Sequence, residues 1–159
     1  MDPTSQLLTQ LLSVAISLSG LPGIHVSELP PVVLLPRAEL NKTVCSSAPV
    51  RCAGLVAAFD TQRYRIVADD KLDFDDPVDA SFLVHEMVHV LQFKQTGSAG
   101  FTSCTAVLQS EEQAYDVQNR YLRQNNRPAR QGSMLRFSRC PREPEPESPP
   151  EAPARLKGE

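Results

Sequence analysis

Asp76-Pro77-Val78-Asp79-Ala80-Ser81-Phe82-Leu83-Val84-His85-Glu86-Met87-Val88-His89-Val90-Leu91-Gln92-Phe93-Lys94 carries the strongest helix signals in the chain. Asp76 is a good N-cap, and Pro77 falls at the first helical position, where its missing N–H costs nothing. Asp79 places a negative charge in the first turn, which suits the helix dipole. From Val78 to Lys94 there is no Gly or Pro. Phe82, Leu83, Val84, Met87, Val88, Val90, Leu91 and Phe93 spread apolar surface round most of the helix. A helix hydrophobic on nearly every face is predicted to be buried.

In its middle stands His85-Glu86-Met87-Val88-His89, an H-E-x-x-H motif. Residues four apart lie on one helix face, so both imidazoles can reach one metal ion. Glu86 projects beside the pair, where it can polarise a water. Two of the chain's three histidines fall here. Burying two His and a Glu in an apolar helix is costly unless they are paired, which argues against a purely structural role. The competing reading is a pair of core histidines satisfied by their neighbours.

A catalytic zinc takes three protein ligands and keeps one open position. The metzincin pattern needs Gly at 92 and His at 95; Gln92 and Gln95 exclude it. The remaining histidine, His25, sits about sixty residues upstream beside Gly23 and reads as a surface or turn residue. A later helix, predicted from Thr105 to about Asn125, offers Glu111 and Glu112. A Gly-containing loop from Thr96 to Ser103 folds it back on the first helix. Helical spacing aligns Val107, Glu111, Ala114, Gln118 and Leu122, with Leu108, Glu112, Tyr115 and Asn119 on the neighbouring stripe. Small Ala114 permits close approach of the helices, which favours Glu111; Glu112 stays open as the alternative. Solvated surface charge is the usual fate of helical Glu, and only the H-E-x-x-H sets that aside.

The remaining segments supply a frame. Residues 5–19 form an amphipathic helix, with Gly20 and Pro22 as stop signals. Ile24 to Leu35 is β-rich but broken by Pro30-Pro31, so it holds at best an edge strand. Leu55–Phe59 and Tyr64–Ala68 form a hairpin across Asp60-Thr61-Gln62-Arg63. The acidic loop Asp69–Asp76 does not follow the calcium-loop pattern and reads as surface acidity plus the Asp76 cap. Together these give an α+β domain over residues 1–140, with a small antiparallel sheet packed on the motif helix and a following ligand-bearing helix. Residues 141–159 hold six of the fourteen prolines and alternate Pro with Glu, a composition that forms a solvated, disordered tail.

Composition narrows the function. The 159 residues carry 16 Lys+Arg against 19 Asp+Glu, a net charge of -3, which speaks against a general nucleic-acid binder. No apolar run is long enough for a membrane span. Leu7 to Leu21 resembles a signal-peptide core in composition, but the first basic residue is Arg37. Without a charged leader the default expectation is a cytoplasmic protein, or a periplasmic or secreted one whose signal has been removed. Cys45, Cys52, Cys104 and Cys140 allow three pairings; Cys45 with Cys52 is one, and a reduced state is equally allowed. There is no C-x-x-C.

With these residues in view, the chain resembles the gluzincins, zinc metallopeptidases with two His on one helix and a Glu on the next. It is most similar to a family of small bacterial gluzincin-like proteins with the order L-V-H-E-x-x-H-x-x-Q, then Cys, then E-x-x-A-Y-x-x-Q. The matching residues are Leu83, Val84, His85, Glu86, His89 and Gln92, then Cys104, then Glu111, Ala114, Tyr115 and Gln118. Relatives often carry Glu where this chain has Gln113. The resemblance spans residues 54–125 well and implies a minimal zincin-like fold. It implies His85, His89 and Glu111 as zinc ligands and Glu86 as general base of a peptidase or amide hydrolase. Tyr115 is a candidate hydrogen-bond donor to an oxyanion, against the commoner packing role. The strand Tyr64–Val67 is expected to offer an edge on which a peptide or protein substrate lies. Arg63 and Arg65 there read as solvated charge rather than as recognition groups. Two other readings stand beside the peptidase: a zinc-binding regulatory or interaction module without proteolysis, and a metal-free helical domain in which the motif is coincidence.

Overall fold

The motif helix forms where its signals place it. In a computed structural model describing residues 2–45 and 54–141, α3 spans Pro77–Thr96, and Asp76 Oδ1 accepts from the Val78 N–H at 2.9 Å. Every residue from Leu83 to Gln92 is buried, as the all-round apolar pattern requires. α1 (Ser5–Ser19) is capped by Thr4 and stopped by Gly20 in the left-handed region at φ 69°. It lays Leu11, Leu12 and Ala15 into the core shared with α3. α4 (Cys104–Gln124) begins at the Ser103 cap and returns along α3, burying Ser110, Ala114, Val117, Gln118 and Leu122.

Three strands complete an α+β fold: β1 (Val32–Leu35), β2 (Ala57–Asp60) and β3 (Arg65–Asp69), in the order β1-β3-β2. The hairpin of β2 and β3 is antiparallel, with Ala57 opposite Ala68. The sheet is not wholly antiparallel as expected, because β1 runs parallel to β3 with Val32 opposite Ile66. A parallel neighbour needs a crossover. The chain between β1 and β3 includes α2 (Arg37–Val44), a short polar helix that buries only Leu40 and lacks a side-chain cap.

The topology corrects a second expectation. Tyr64–Val67 does not supply an exposed edge, because β3 is the central strand and Ile66, Val67 and Ala68 are fully buried. Arg65 instead pairs with Asp60 across the hairpin at 3.2 Å. β2 is the edge strand on that side of the sheet, and α3 packs against it.

Asp69, Asp73 and Asp76 of the acidic loop use their carboxylates structurally. Asp73 Oδ1 accepts from Asp75 N, and Asp79 Oδ2 accepts from Asp73 N. Asp69 is 2% exposed and accepts from Arg37 Nε at 2.7 Å and from Lys71 N at 3.0 Å. Burial alone would raise its pKa, but the Lys71 N–H and the Arg37 guanidinium hold it below the usual carboxylate value. A folded pKa below the unfolded one adds stability above the unfolded pKa of about 4, and that stability is lost as pH falls through the folded value. Asp69→Asn is therefore expected to cost about 1–3 kcal/mol at pH 7. In urea unfolding, the gap to the parent should narrow below about pH 4. A gap independent of pH would mean that the carboxylate charge is not the stabilising feature.

Cys104 and Cys140 form a disulfide, and Cys45 is also disulfide-bonded. Cys52 lies outside the described residues, and the expected pairing with Cys45 falls there. The expected tail from 141 also lies outside them, beyond Pro141. Among the described residues no helix is long and apolar enough to cross a membrane.

Candidate metal centre

α3 presents His85 and His89 one turn apart, and α4 brings Glu111 against both. Glu111 Oε1 lies 2.9 Å from His89 Nε2, and Oε2 lies 3.3 Å from His85 Nε2. The two Nε2 atoms are 3.1 Å apart. Ligands about 2.0–2.1 Å from a tetrahedral zinc stand about 3.3 Å from one another. Taking one ligand atom from each side chain, the three atoms lie within 4.8 Å of one another, close enough to converge on one ion, and the donor set of two imidazoles and a carboxylate suits zinc. Glu112, one residue on, is exposed to solvent. His25 is not part of this cluster: it caps the short helical turn Val26–Glu28 in a reciprocal capping box with Glu28.

The electrostatics of the cluster are those of closely opposed charges. Burial pushes the Glu111 pKa up, but hydrogen bonds from His85 and His89 outweigh it and hold the carboxyl well below its ordinary range. Burial likewise works against charge on His89, yet the Glu111 hydrogen bond and the Glu86 and Glu111 charges push its pKa up to about 9.

Each imidazole is held from behind. His85 Nδ1 lies 3.0 Å from Gln118 Oε1, and His89 Nδ1 lies 2.8 Å from Gln92 Oε1. Gln118 Nε2 donates to Ser81 Oγ at 2.9 Å, and Ser81 Oγ donates to Val78 O. Gln92 Nε2 donates to Ser110 O at 3.0 Å and to Gln113 Oε1 at 2.9 Å. Sequence reasoning gave these glutamines no role. The signal was present, however: Gln118 shares the Glu111 stripe, and Gln92 lies three residues beyond His89.

The cluster opens into a cleft of about 420 Å³. Edge strand β2 and the residues before it form one wall, from Gly54 to Phe59. Phe82, Phe101 and Val107 give it apolar lining, and Glu86 and Tyr115 also face it. Glu86 is 7% exposed and is not one of the three clustered ligands. Its negative charge is felt by both His89 and Tyr115. The Tyr115 ring lies 4.5 Å from the His85 ring, centroid to centroid. Burial, then the Glu111 and Glu86 charges, push the Tyr115 pKa up, so the phenol keeps its proton and can donate.

The segment after α4 was not anticipated as part of the site. Asn119 clamps Gln131 by two hydrogen bonds, Nδ2 to Gln131 O at 2.9 Å and Gln131 N to Oδ1 at 3.0 Å. Gln131 lines the cleft. Gly132, at φ 71°, lies flat on Tyr115: a Cβ there would stand 2.3 Å from the ring. The Cys104–Cys140 disulfide ties the far end of this strap to the start of α4.

The architecture is thus an α+β domain built round a buried His-His-Glu cluster that can hold a metal ion. The family described as Domain of unknown function (DUF6647) matches residues 4–131, and the chain belongs to it. No curated protein and no solved structure matches the chain.

Proposed function

We propose that the protein is a zinc-dependent peptidase or related amide hydrolase of the gluzincin type. The observation that carries the reading is the convergence of His85 Nε2 and His89 Nε2, 3.1 Å apart, on the Glu111 carboxylate, which sets one oxygen 3.3 Å from the first and the other 2.9 Å from the second, beside Glu86 in an open cleft. His85, His89 and Glu111 would hold the ion. When bound, zinc supplies a Lewis acid that lowers the pKa of water and polarises a carbonyl. Glu86 accepts the proton of the attacking water and returns it to the leaving amine. Tyr115 donates a hydrogen bond to the oxygen that becomes negative. Edge strand β2, rather than β3, lies where an extended peptide can pair by strand addition. Phe82, Phe101 and Val107 give the cleft an apolar wall that suits an apolar substrate side chain beside the reacting bond.

The disulfide bonds support an oxidising compartment, periplasmic or extracellular, over the cytoplasm. The test of activity is a broad peptide library incubated with the zinc-loaded protein. Cleavage is expected, with loss on treatment with a strong chelator and recovery on adding zinc. Cleavage unaffected by chelation would contradict the mechanism. Zinc binding without cleavage would instead favour the regulatory or interaction module.

A further inference from the structure

The hydrogen-bond chains behind the two histidines run in one direction only. Val78 O can only accept, so the Ser81 hydroxyl donates to it. That leaves Ser81 Oγ to accept, and it takes the Gln118 Nε2–H at 2.9 Å. The Gln118 amide therefore turns its Oε1 to His85 Nδ1, which must carry the proton. The second chain has the same sense. Ser110 O can only accept, so the Gln92 amide nitrogen faces it, and the same nitrogen also donates to Gln113 Oε1. Gln113 Nε2 in turn donates to Ser19 O at the end of α1. Gln92 Oε1 is thereby left to accept from His89 Nδ1.

Both chains begin on main-chain carbonyls and end by placing a proton on Nδ1. Both Nε2 atoms then point at Glu111. Gln118 and Ser81 are 0% exposed and Gln92 8%, so solvent does not compete for these bonds. A buried glutamine between two helices is a poor choice for packing alone, since its amide must be satisfied or costs free energy. We infer that Gln92 and Gln118 are positioning residues. They fix the tautomer and ring orientation of His89 and His85, so that the divalent-metal site is assembled in advance. The inference rests on the metal-site reading proposed above and assigns a role to residues outside the ligand set.

Zinc affinity, read by competition with a chromophoric chelator, tests it without reference to catalysis. Gln118→Met and Gln92→Met keep length and apolar volume but cannot accept from Nδ1. Each is expected to weaken zinc binding by about 10–100-fold. Gln118→Glu still accepts from His85 Nδ1 and should bind within about threefold of the parent, a rescue that packing alone does not predict. The visible absorption of bound cobalt(II) should be altered in the Met variants and parent-like in Gln118→Glu. Far-UV circular dichroism checks that each variant folds, and the two glutamines provide independent trials should one variant not fold. Parent-like zinc affinity in both Met variants, or Gln118→Glu binding as weakly as Gln118→Met, would overturn the positioning role while leaving the metal site intact. A parent protein that takes up no zinc would overturn the metal reading itself.

Discussion

Glu86→Ala is expected to lower peptide hydrolysis by at least about 10²–10⁴-fold while zinc stays bound at the parent level. Glu86 follows His85 on α3 and faces the cleft, but the convergent ligand atoms belong to His85, His89 and Glu111. Removing it takes away the proton acceptor and leaves the ligand set whole. Its carboxylate lies close enough to bias the protonation of His89 and Tyr115. It is therefore beside the cluster in which the ion is proposed to sit. Rate constants and zinc content measured on the same preparation check this. Hydrolysis surviving in Glu86→Ala would rule out Glu86 as the base. Loss of zinc together with activity would make it a ligand or a structural support instead.

The second large effect concerns the ligands on α4. Glu111→Ala is expected to lose nearly all zinc, whereas Glu112→Ala should bind like the parent. Glu111 contacts both Nε2 atoms, while the Glu112 side chain points to solvent. Among the described residues, Glu111 supplies the carboxylate that closes the cluster. Without it, only two imidazoles remain as protein ligands, one short of the three that a catalytic zinc takes. His85→Ala should behave like Glu111→Ala. Equal zinc retention in Glu111→Ala and Glu112→Ala would show that the third ligand lies elsewhere.

Much of this site is legible in the sequence because its chemistry is written in helical spacing. Asp76 and Pro77 mark where α3 starts, and a four-residue interval alone puts His85 and His89 on one face. Glu111 over Glu112 follows from sharing a stripe with Ala114, which is fully buried against α3. Strand pairing is less accessible. The tight turn at Asp60–Arg63 identifies the hairpin of β2 and β3 but not the second neighbour of β3, and β1 joins β3 only through the long crossover that contains α2. The central place of β3 therefore had no local signal, and the substrate edge moves to β2. α2 itself has a polar sequence and one buried residue, Leu40, so neither cap nor periodicity announces it.

The strap after α4 was hidden for another reason. Its contacts are made by backbone and by a missing side chain: Gln131 is clamped through its own N–H and C=O, and Gly132 meets Tyr115 because it has no Cβ. Gly, Gln and Ser in that segment read as an ordinary loop. Gln92 and Gln118 were visible as residues but silent as roles. Sequence shows which amides share a face with the motif, whereas the direction of a hydrogen-bond chain depends on the carbonyl at its far end.

His85, His89 and Glu111 are proposed to hold a zinc ion. Elemental analysis of the protein, purified without added metal and again after zinc incubation and desalting, tests it most directly. About one zinc per chain is expected. No zinc before or after incubation would contradict it and leave the buried cluster as a hydrogen-bonded His-His-Glu group within a helical core.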